Sequence, residues 1–240
     1  MRTSGILMHI SSLPSPGGIG SLGEEAFAFA DFLQASGMRI WQVLPVGPTG
    51  YGESPYQSSS VFAGNPLFIS CRKLRDEKLL DYKDEEEYEP DDPETIDYEA
   101  VRRNKDMLLR RAFSQSASLL TDQIDEFRKA NDWVNDFALF TAVKNHFGQV
   151  ALSQWPDRDI RSRRPEALRK YRELLKDEIS FHIFCQYLFR RQWFALKKYC
   201  NERSVQLLGD MPIYVAEDSA DVWTHPEVFQ LDRDLIPKHV

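Results

Sequence analysis

The residues best suited to chemistry lie in three short segments, each directly after an apolar run with the character of a buried β-strand. They are residues 9–15 (HISSLPS), 49–57 (TGYGESPYQ) and 209–223 (GDMPIYVAEDSADVW). Their hydroxyls, carboxylates and tyrosine rings can hydrogen-bond to a polar ligand or stack on an apolar ring face. In a barrel of parallel strands the loops at the carboxyl ends share one rim, so we expect the three segments to form one pocket.

Four side chains in these segments are candidate binding residues, and each has a structural alternative. Asp210 ends the third apolar run, where its carboxylate can accept hydrogen bonds from sugar hydroxyls; because Pro212 follows, a turn cap explains it equally well. Tyr51 and Tyr56 lie in a Gly/Pro-rich loop, where they offer aromatic platforms for a sugar ring or simply anchor the loop. His9 is either a site residue or a core histidine at a strand end.

Two further sets of residues carry weaker signals. Asp218 and Asp221 are candidates for a carboxylate pair, although capping of a helix before Trp223 is the favoured interpretation. The cysteines are far apart and odd in number, and they show neither metal-ligand spacing nor a disulfide framework: Cys71, Cys185 and Cys200. We predict reduced, mostly buried thiols, as in a cytoplasmic protein.

The elements that position these segments are predicted to begin with a βαβ unit. Residues 6–10 and 40–44 are short apolar runs typical of buried strands, and a helical repeat lies between them. Ser21 followed by Glu24 is a capping-box pattern at the start of this helix, and Gly37 lies where a C-terminal cap belongs. Such a unit makes a right-handed crossover between parallel strands. A third strand is predicted at residues 205–208 (VQLL).

Residues 95–202 are predicted to be mainly helical and to form an inserted subdomain. One apolar stripe at helical spacing consists of Trp133, Phe137, Phe140 and Phe147. A second stripe follows further along the chain: Phe181, Phe184, Cys185, Leu188, Ala195, Leu196 and Tyr199. Stripes of this kind usually pack into a core, so we interpret both as structural.

The charge distribution and hydropathy disfavour several classes of protein. The net charge of -7 conceals residues 81–99, which contain eleven Asp or Glu and one Lys and leave the remainder slightly positive. We interpret this stretch as a solvated, mobile linker, and its prolines argue against a metal site. No basic stripe predicts binding to nucleic acid. No apolar run reaches the roughly 20 residues of a membrane span, and the N-terminus lacks a signal-peptide pattern, so we expect a cytoplasmic protein.

Three long motifs carry a resemblance to a known family. HISSLPSPGGIGSLG, WQVLPVGPTGYGESPYQSSSVFAGNPL and LLGDMPIYVAEDSADVW occur in this order. In order and spacing they resemble the opening motifs of the amylomaltases, also called disproportionating enzymes or 4-α-glucanotransferases, of glycoside hydrolase family 77. The resemblance spans essentially the whole chain but only the first half of a typical family member.

The resemblance implies an α/β fold, namely a partial (β/α)8 TIM barrel. The chain would supply its first three strands and a large, mainly helical insertion between strands 2 and 3. Residues 1–55 would begin the barrel, residues 56–200 would form the helical subdomain, and residues 201–240 would provide strand 3 and the following loop. The C-terminal half of the barrel is then expected to be missing from this chain.

The same resemblance implies transfer of α-1,4-glucan segments from a maltodextrin donor to a glucose or glucan acceptor by a retaining covalent mechanism. Tyr56 matches the family tyrosine that stacks on the sugar beside the scissile bond, and Asp210 matches an aspartate that binds the same sugar. Tyr51 matches a tyrosine of a second glucan-contact region, and Ser54 lines the same loop. No metal or organic cofactor is expected.

None of the catalytic carboxylates is assigned to a residue of this chain. By resemblance, the nucleophilic Asp, the acid/base Glu and a supporting Asp are expected beyond the position of Val240, so the chain alone is predicted to be inactive. Two other functions stay open. One is a non-catalytic glucan-binding module that uses Tyr51, Tyr56 and Asp210, and the other is a hydrolase that transfers the sugar to water.

Overall fold

The computed structural model describes residues 2–81, 88–90, 92, 94–232 and 235–238. The chain divides into two compact units. We call Met1–Val46, Gly64–Thr121 and Tyr187–Met211 the sheet unit, and Gly47–Ala63, Asp122–Gln186 and Pro212–Val240 the helical unit. Each unit consists of three segments, and the segments of the two units alternate along the chain. The boundaries predicted from strand membership, at residues 1–55, 56–200 and 201–240, stay a prediction.

The sheet unit contains three parallel strands, as the sequence predicted. They are β1 (Gly5–Leu7), β2 (Ile40–Gln42) and β3 (Gln206–Leu208), in the order β1-β2-β3. The register aligns Ile6 with Trp41 and Trp41 with Leu207. Each strand is shorter than the apolar run that predicted it. The fold class α/β is therefore confirmed at the level of a small parallel sheet among helices, whereas closure into a barrel stays a prediction.

Helix α1 (Glu24–Ala35) connects β1 and β2, but the predicted capping box at its start is wrong. The N-cap is Gly23, and no side chain caps this end. The main-chain N–H of Ser21, which a capping box would pair with Glu24, donates instead to the Ser15 hydroxyl at 3.0 Å. The other end agrees with prediction: Gly37 adopts a positive φ of 72°, which glycine tolerates best, and Met38 N–H closes the helix on Leu33 O at 2.9 Å.

The remaining helices of the sheet unit are α2 (Cys71–Asp76), α3 (Tyr98–Ser116) and the last part of a long helix whose bounds follow below. Asp97 caps α3 by accepting the Ala100 N–H at 3.0 Å. Gly64 is required by close packing, since a Cβ there would lie 2.0 Å from the Phe189 ring. Much of the predicted acidic linker, namely residues 82–87, 91 and 93, lies outside the described residues.

The helical unit is built around aromatic side chains. Its helices are α4 (Thr121–Lys129, of which residue 121 belongs to the sheet unit), α5 (Trp133–His146), α6 (Arg158–Arg161), α7 (Pro165–Leu174), the first part of α8 (Lys176–Glu202) and α9 (Ala220–Thr224). Phe140, Trp155 and Trp223 pack with ring centroids 5.5–5.9 Å apart. The first predicted stripe is confirmed as core, with Phe137 and Phe140 buried.

The second predicted stripe, on α8, is confirmed except at Ala195 and at Tyr199, which is only half-buried. Its buried members are Phe181, Phe184, Cys185, Leu188 and Leu196. Ala195 is exposed, because the buried stripe runs through every fourth residue at Leu188, Gln192 and Leu196. The polar Gln192 is satisfied there: it accepts the Ser70 N–H at 2.8 Å and donates to the Ser70 carbonyl at 3.1 Å.

Two further sequence expectations concern cysteines and membranes. All three cysteines are buried, as predicted. Within the described part of the chain, no helix combines the length and the apolar character that crossing a bilayer requires.

Candidate functional site

The carboxyl edge of the parallel sheet carries His9 and Asp210. His9 lies two residues after β1 and Asp210 two residues after β3, so the two flank β2. The strand pairing continues up to both positions. Met8 N–H donates to Gln42 O at 2.9 Å, and Val43 N–H donates to Leu208 O at 3.0 Å. Main-chain hydrogen bonds thus place both side chains at the edge where parallel α/β sheets bind ligands.

His9 combines features of a core residue and of a site residue. Its ring packs edge-on against Phe68, with centroids 5.4 Å apart. Burial lowers the pKa of His9 to about 4, so the imidazole is uncharged at neutral pH. Its Nδ1 atom is buried and has no hydrogen-bond partner among the described residues. A neutral imidazole carries one N–H donor and one acceptor nitrogen, which suits a hydroxyl because a hydroxyl both donates and accepts.

Asp210 is half-buried in the segment that leaves β3. The Gly209 position before it is open, since a Cβ there would meet no atom within 4 Å. The residue after it, Met211, is exposed. The positions on either side of Asp210 are therefore open to solvent.

Tyr51, Ser54 and Tyr56 lie together in residues 47–63 of the helical unit, which we call the tyrosine loop. Its two arms approach each other at Thr49 and Ser58, which form an antiparallel bridge. Between them, Gly50 N–H donates to Gln57 O at 3.2 Å. The Tyr51 side chain lies outside what the structure describes, whereas the Tyr56 side chain is 46% exposed. The loop therefore presents Tyr56 at its surface.

Two buried serines hold the base of the tyrosine loop. The Ser58 hydroxyl lies 3.0 Å from Pro48 O and 2.7 Å from Ser60 O. The Ser60 hydroxyl accepts the Phe62 N–H at 3.2 Å and the Ala63 N–H at 3.3 Å. Side-chain oxygens thus satisfy main-chain groups that no regular secondary structure pairs here.

The second arm of the loop is bonded to the start of α9. Val61 N–H donates to Asp221 Oδ2 at 3.0 Å, and Ala220 N–H donates to Ser59 O at 2.8 Å. The predicted helix cap is corrected at this point. Ser219 caps α9 by accepting the Val222 N–H at 3.2 Å. The Asp221 carboxylate bonds to the loop instead.

Helix α9 is itself fixed to the core of the helical unit. The Trp223 indole N–H donates to Ile160 O at 3.0 Å, and the Arg163 guanidinium lies 4.3 Å from the centre of the Trp223 ring. Asp218 is not a cap either: it pairs with Lys144 and accepts the Leu152 N–H at 3.0 Å. The predicted carboxylate pair of Asp218 and Asp221 is therefore two separate carboxylates with different partners.

The predicted site residues fall into two groups. His9 and Asp210 share the sheet edge, and Tyr51, Ser54 and Tyr56 share the tyrosine loop; the shared pocket of all five stays a prediction. Sequence reasoning missed the serines that hold the loop, and it gave Asp221 a different role. The serine run at residues 58–60 was the available signal, whereas nothing in the sequence connects Asp221 to Val61. Within the described residues, no cluster of three or more His, Cys, Asp or Glu is arranged to bind a metal ion.

Comparisons with known proteins agree with the motifs. A family model described as 4-alpha-glucanotransferase matches residues 8–235. A 4-alpha-glucanotransferase of Streptococcus pneumoniae is 44% identical over 236 residues, which are 96% of this chain and 46% of the relative. One of Thermus thermophilus is 44% identical over 242 residues, covering 98% of this chain and 47% of its own length. The chain thus spans about half the length of the curated relatives it matches.

A solved structure adds a match in three dimensions. The amylomaltase of Streptococcus agalactiae, determined in complex with acarbose, superposes with a TM-score of 0.93 at 44% identity. The match covers 98% of this chain and 48% of that one.

Proposed function

Because the chain belongs to the 4-alpha-glucanotransferase family, we propose that it takes part in transferring α-1,4-glucan segments from a maltodextrin donor to a glucose or glucan acceptor. The observation that carries this proposal is the match over 98% of the chain to an amylomaltase solved with acarbose. We further propose a retaining mechanism through a covalent glucosyl-enzyme intermediate.

In this proposal the two groups of residues contact the glucan. Asp210 accepts hydrogen bonds from sugar hydroxyls at the sheet edge, and the uncharged His9 imidazole bonds to a further hydroxyl. Tyr56 stacks its ring on the apolar face of a glucose unit, which its exposure at the loop surface allows. Tyr51 and Ser54 extend this contact along the same loop. No metal or organic cofactor enters the scheme.

The catalytic carboxylates are proposed to lie outside this chain. A retaining mechanism needs two carboxyl groups about 5 Å apart, one as nucleophile and one as acid/base. Asp218 and Asp221 do not offer this pair, since one is paired with Lys144 and the other with a main-chain N–H. We therefore propose that residues 1–240 alone do not transfer glucan.

A (β/α)8 barrel is proposed for the longer protein. Among the described residues, β1 and β3 each pair only with β2, so each has an unpaired outer edge. Leu7 on β1 and Leu208 on β3 are about half exposed, at 54% and 49%. Further parallel strands would pair these edges, and helices around them would cover the apolar side chains.

The activity is tested with a hybrid enzyme, in which residues 1–240 are followed by the part of the Streptococcus pneumoniae relative beyond its matched segment. The hybrid and the 240-residue chain are each incubated with maltotriose, and the products are separated by length. We expect the hybrid to form glucose together with maltodextrins longer than maltotriose. The 240-residue chain is expected to form neither.

The same products distinguish the other candidate functions. Glucose and maltose without longer products would identify a hydrolase that transfers the sugar to water. No products from the hybrid, together with a change in tryptophan fluorescence of the 240-residue chain on glucan addition, would favour a non-catalytic binding module. Transfer by residues 1–240 alone would contradict the proposal that the catalytic carboxylates lie outside this chain.

A further inference from the structure

The tyrosine loop and the start of α9 are joined by two hydrogen bonds between residues about 160 positions apart in sequence. Val61 N–H donates to Asp221 Oδ2 at 3.0 Å, and Ala220 N–H donates to Ser59 O at 2.8 Å. The second bond uses only main-chain atoms and tolerates most side chains. The first depends on the Asp221 side chain.

The Asp221 carboxylate does not cap the helix that carries it. Ser219 already caps α9, and its hydroxyl accepts the Val222 N–H. Burial raises the pKa of Asp221, so an ionised carboxylate is disfavoured where it lies. Three groups oppose this effect: the Val61 N–H, the main-chain N–H of Asp221 itself and the charge that a protonated His225 would carry. Of these, the Val61 N–H belongs to the tyrosine loop and lies 3.0 Å from the carboxylate.

The contacts of the loop lead from Val61 back to Tyr56. Next to Val61, Ser60 accepts two main-chain N–H groups and offers its own carbonyl to Ser58. Ser58 in turn bonds to Pro48 O and bridges to Thr49 on the first arm of the loop. Tyr56 is presented between these arms. The main chain that carries Tyr56 therefore belongs to the segment that these contacts hold.

We propose that Asp221 is a positioning residue for glucan binding, whose carboxylate fixes the second arm of the tyrosine loop through the Val61 N–H. It holds the loop that carries Ser54 and Tyr56 in the orientation that a glucan chain requires, without itself touching the sugar. The part of this inference that concerns glucan binding rests on the proposed function. The hold of Asp221 on the loop is independent of that function.

The hold on the loop is tested by hydrogen exchange at the Val61 amide in the 240-residue chain. Asp221→Asn keeps an oxygen acceptor of the same size and removes the charge. Asp221→Ala removes the acceptor, and Asp221→Leu removes it while filling a similar volume, which guards against failure of the Ala variant to fold. We expect exchange at Val61 to be about three- to tenfold faster in the Ala and Leu variants, as for one lost hydrogen bond. Exchange in Asp221→Asn should stay within about twofold of the unchanged chain, because the acceptor remains.

The glucan half is tested by the steady-state kinetics of the hybrid with maltotriose. We expect Asp221→Ala and Asp221→Leu to raise KM about three- to tenfold, in parallel with exchange at Val61, and to change kcat less. Asp221→Asn should restore KM. A purely structural role of the buried charge would instead move melting temperature and activity together, with no rescue by Asn.

The outcomes separate the two proposals. Unchanged exchange at Val61 in the Ala and Leu variants, or an Asn variant that behaves like Ala, would overturn the role of Asp221. A hybrid that neither binds nor converts maltotriose would overturn the proposed function, whatever the exchange at Val61. Faster exchange at Val61 with an unchanged KM would show that the loop position does not matter to glucan.

Discussion

The sheet edge and the tyrosine loop place their candidate residues by different physical means. At the sheet edge, His9 and Asp210 follow directly from strand pairing, which continues through Met8 and Val43 into the positions beside them. These bonds join main-chain atoms, so they form with almost any side chain. The positions of both residues are therefore set by the register of the sheet.

In the tyrosine loop, hydrogen bonds from side chains fix the main chain that carries the candidate residues. Ser58, Ser60 and Asp221 supply the oxygens that bind main-chain groups of the loop. Gly47 is fitted against them, since a Cβ there would lie 2.5 Å from Ser58 Oγ. The comparison teaches that single substitutions outside the site should disturb the loop more easily than the sheet edge.

The largest effect is expected from Asp210→Asn in the hybrid enzyme. Removing the charge from a carboxylate that bonds to the reacting sugar should lower turnover by about 10²–10³-fold, the range for one hydrogen bond that strengthens in the transition state. Because Asp210 lies beyond the end of β3, where main-chain bonds join the strands, the melting temperature should stay within a few degrees. A large loss of stability with turnover per folded molecule intact would identify Asp210 as a turn cap.

The next largest effect is expected from removing the Tyr56 ring. Tyr56→Ala should weaken glucan binding and rate by about tenfold or more, because an aromatic contact contributes roughly 0.5–1.5 kcal/mol beyond the area it buries. Tyr56→Phe keeps the platform and should be mild. Equal and negligible effects of the two changes on KM and kcat would show that Tyr56 does not stack on the sugar.

A smaller effect, mainly on stability, is expected from Ser60→Ala. The change leaves the N–H groups of Phe62 and Ala63 without their acceptor, which should lower the free energy of unfolding by about 1–3 kcal/mol. Thermal melting of the 240-residue chain measures this loss. Ser59→Ala is the matched control, since Ser59 contributes its main-chain carbonyl to the bond with Ala220. If both variants melt alike, the serine hydroxyls do not hold the loop.

The smallest effect is expected from the titration of His9. Its folded-state pKa of about 4 lies below the ordinary value of 6.5, so the unfolded chain takes up the proton first as the pH falls. The contribution of His9 to stability is therefore present above about pH 6.5 and decreases toward pH 4. His9→Phe keeps a ring against Phe68 and carries no proton, so the difference in melting temperature between the two proteins should change over this range. A constant difference from pH 7 to pH 4 would contradict the burial of a neutral His9.

The sequence by itself determined the local elements and the family. The apolar runs at residues 6–10, 40–44 and 205–208 predicted three strands, and Gly37 predicted a helix end, because each signal depends on residues within a few positions of one another. The long motifs likewise pointed to the 4-alpha-glucanotransferases, to which the family model and the relatives assign the chain. They also predicted the α/β fold class and its parallel sheet.

Only the tertiary structure decided which polar groups meet. Ser21 had the spacing of a capping box, yet its N–H is bound to Ser15 and the helix begins at Glu24. Asp218 and Asp221 are three residues apart, yet one pairs with Lys144 and the other with Val61, far away in sequence. The physical reason is that a hydrogen-bonding group takes the best partner available in space. Chain separation affects that choice only through the entropy of closing the loop, which rises slowly with its length.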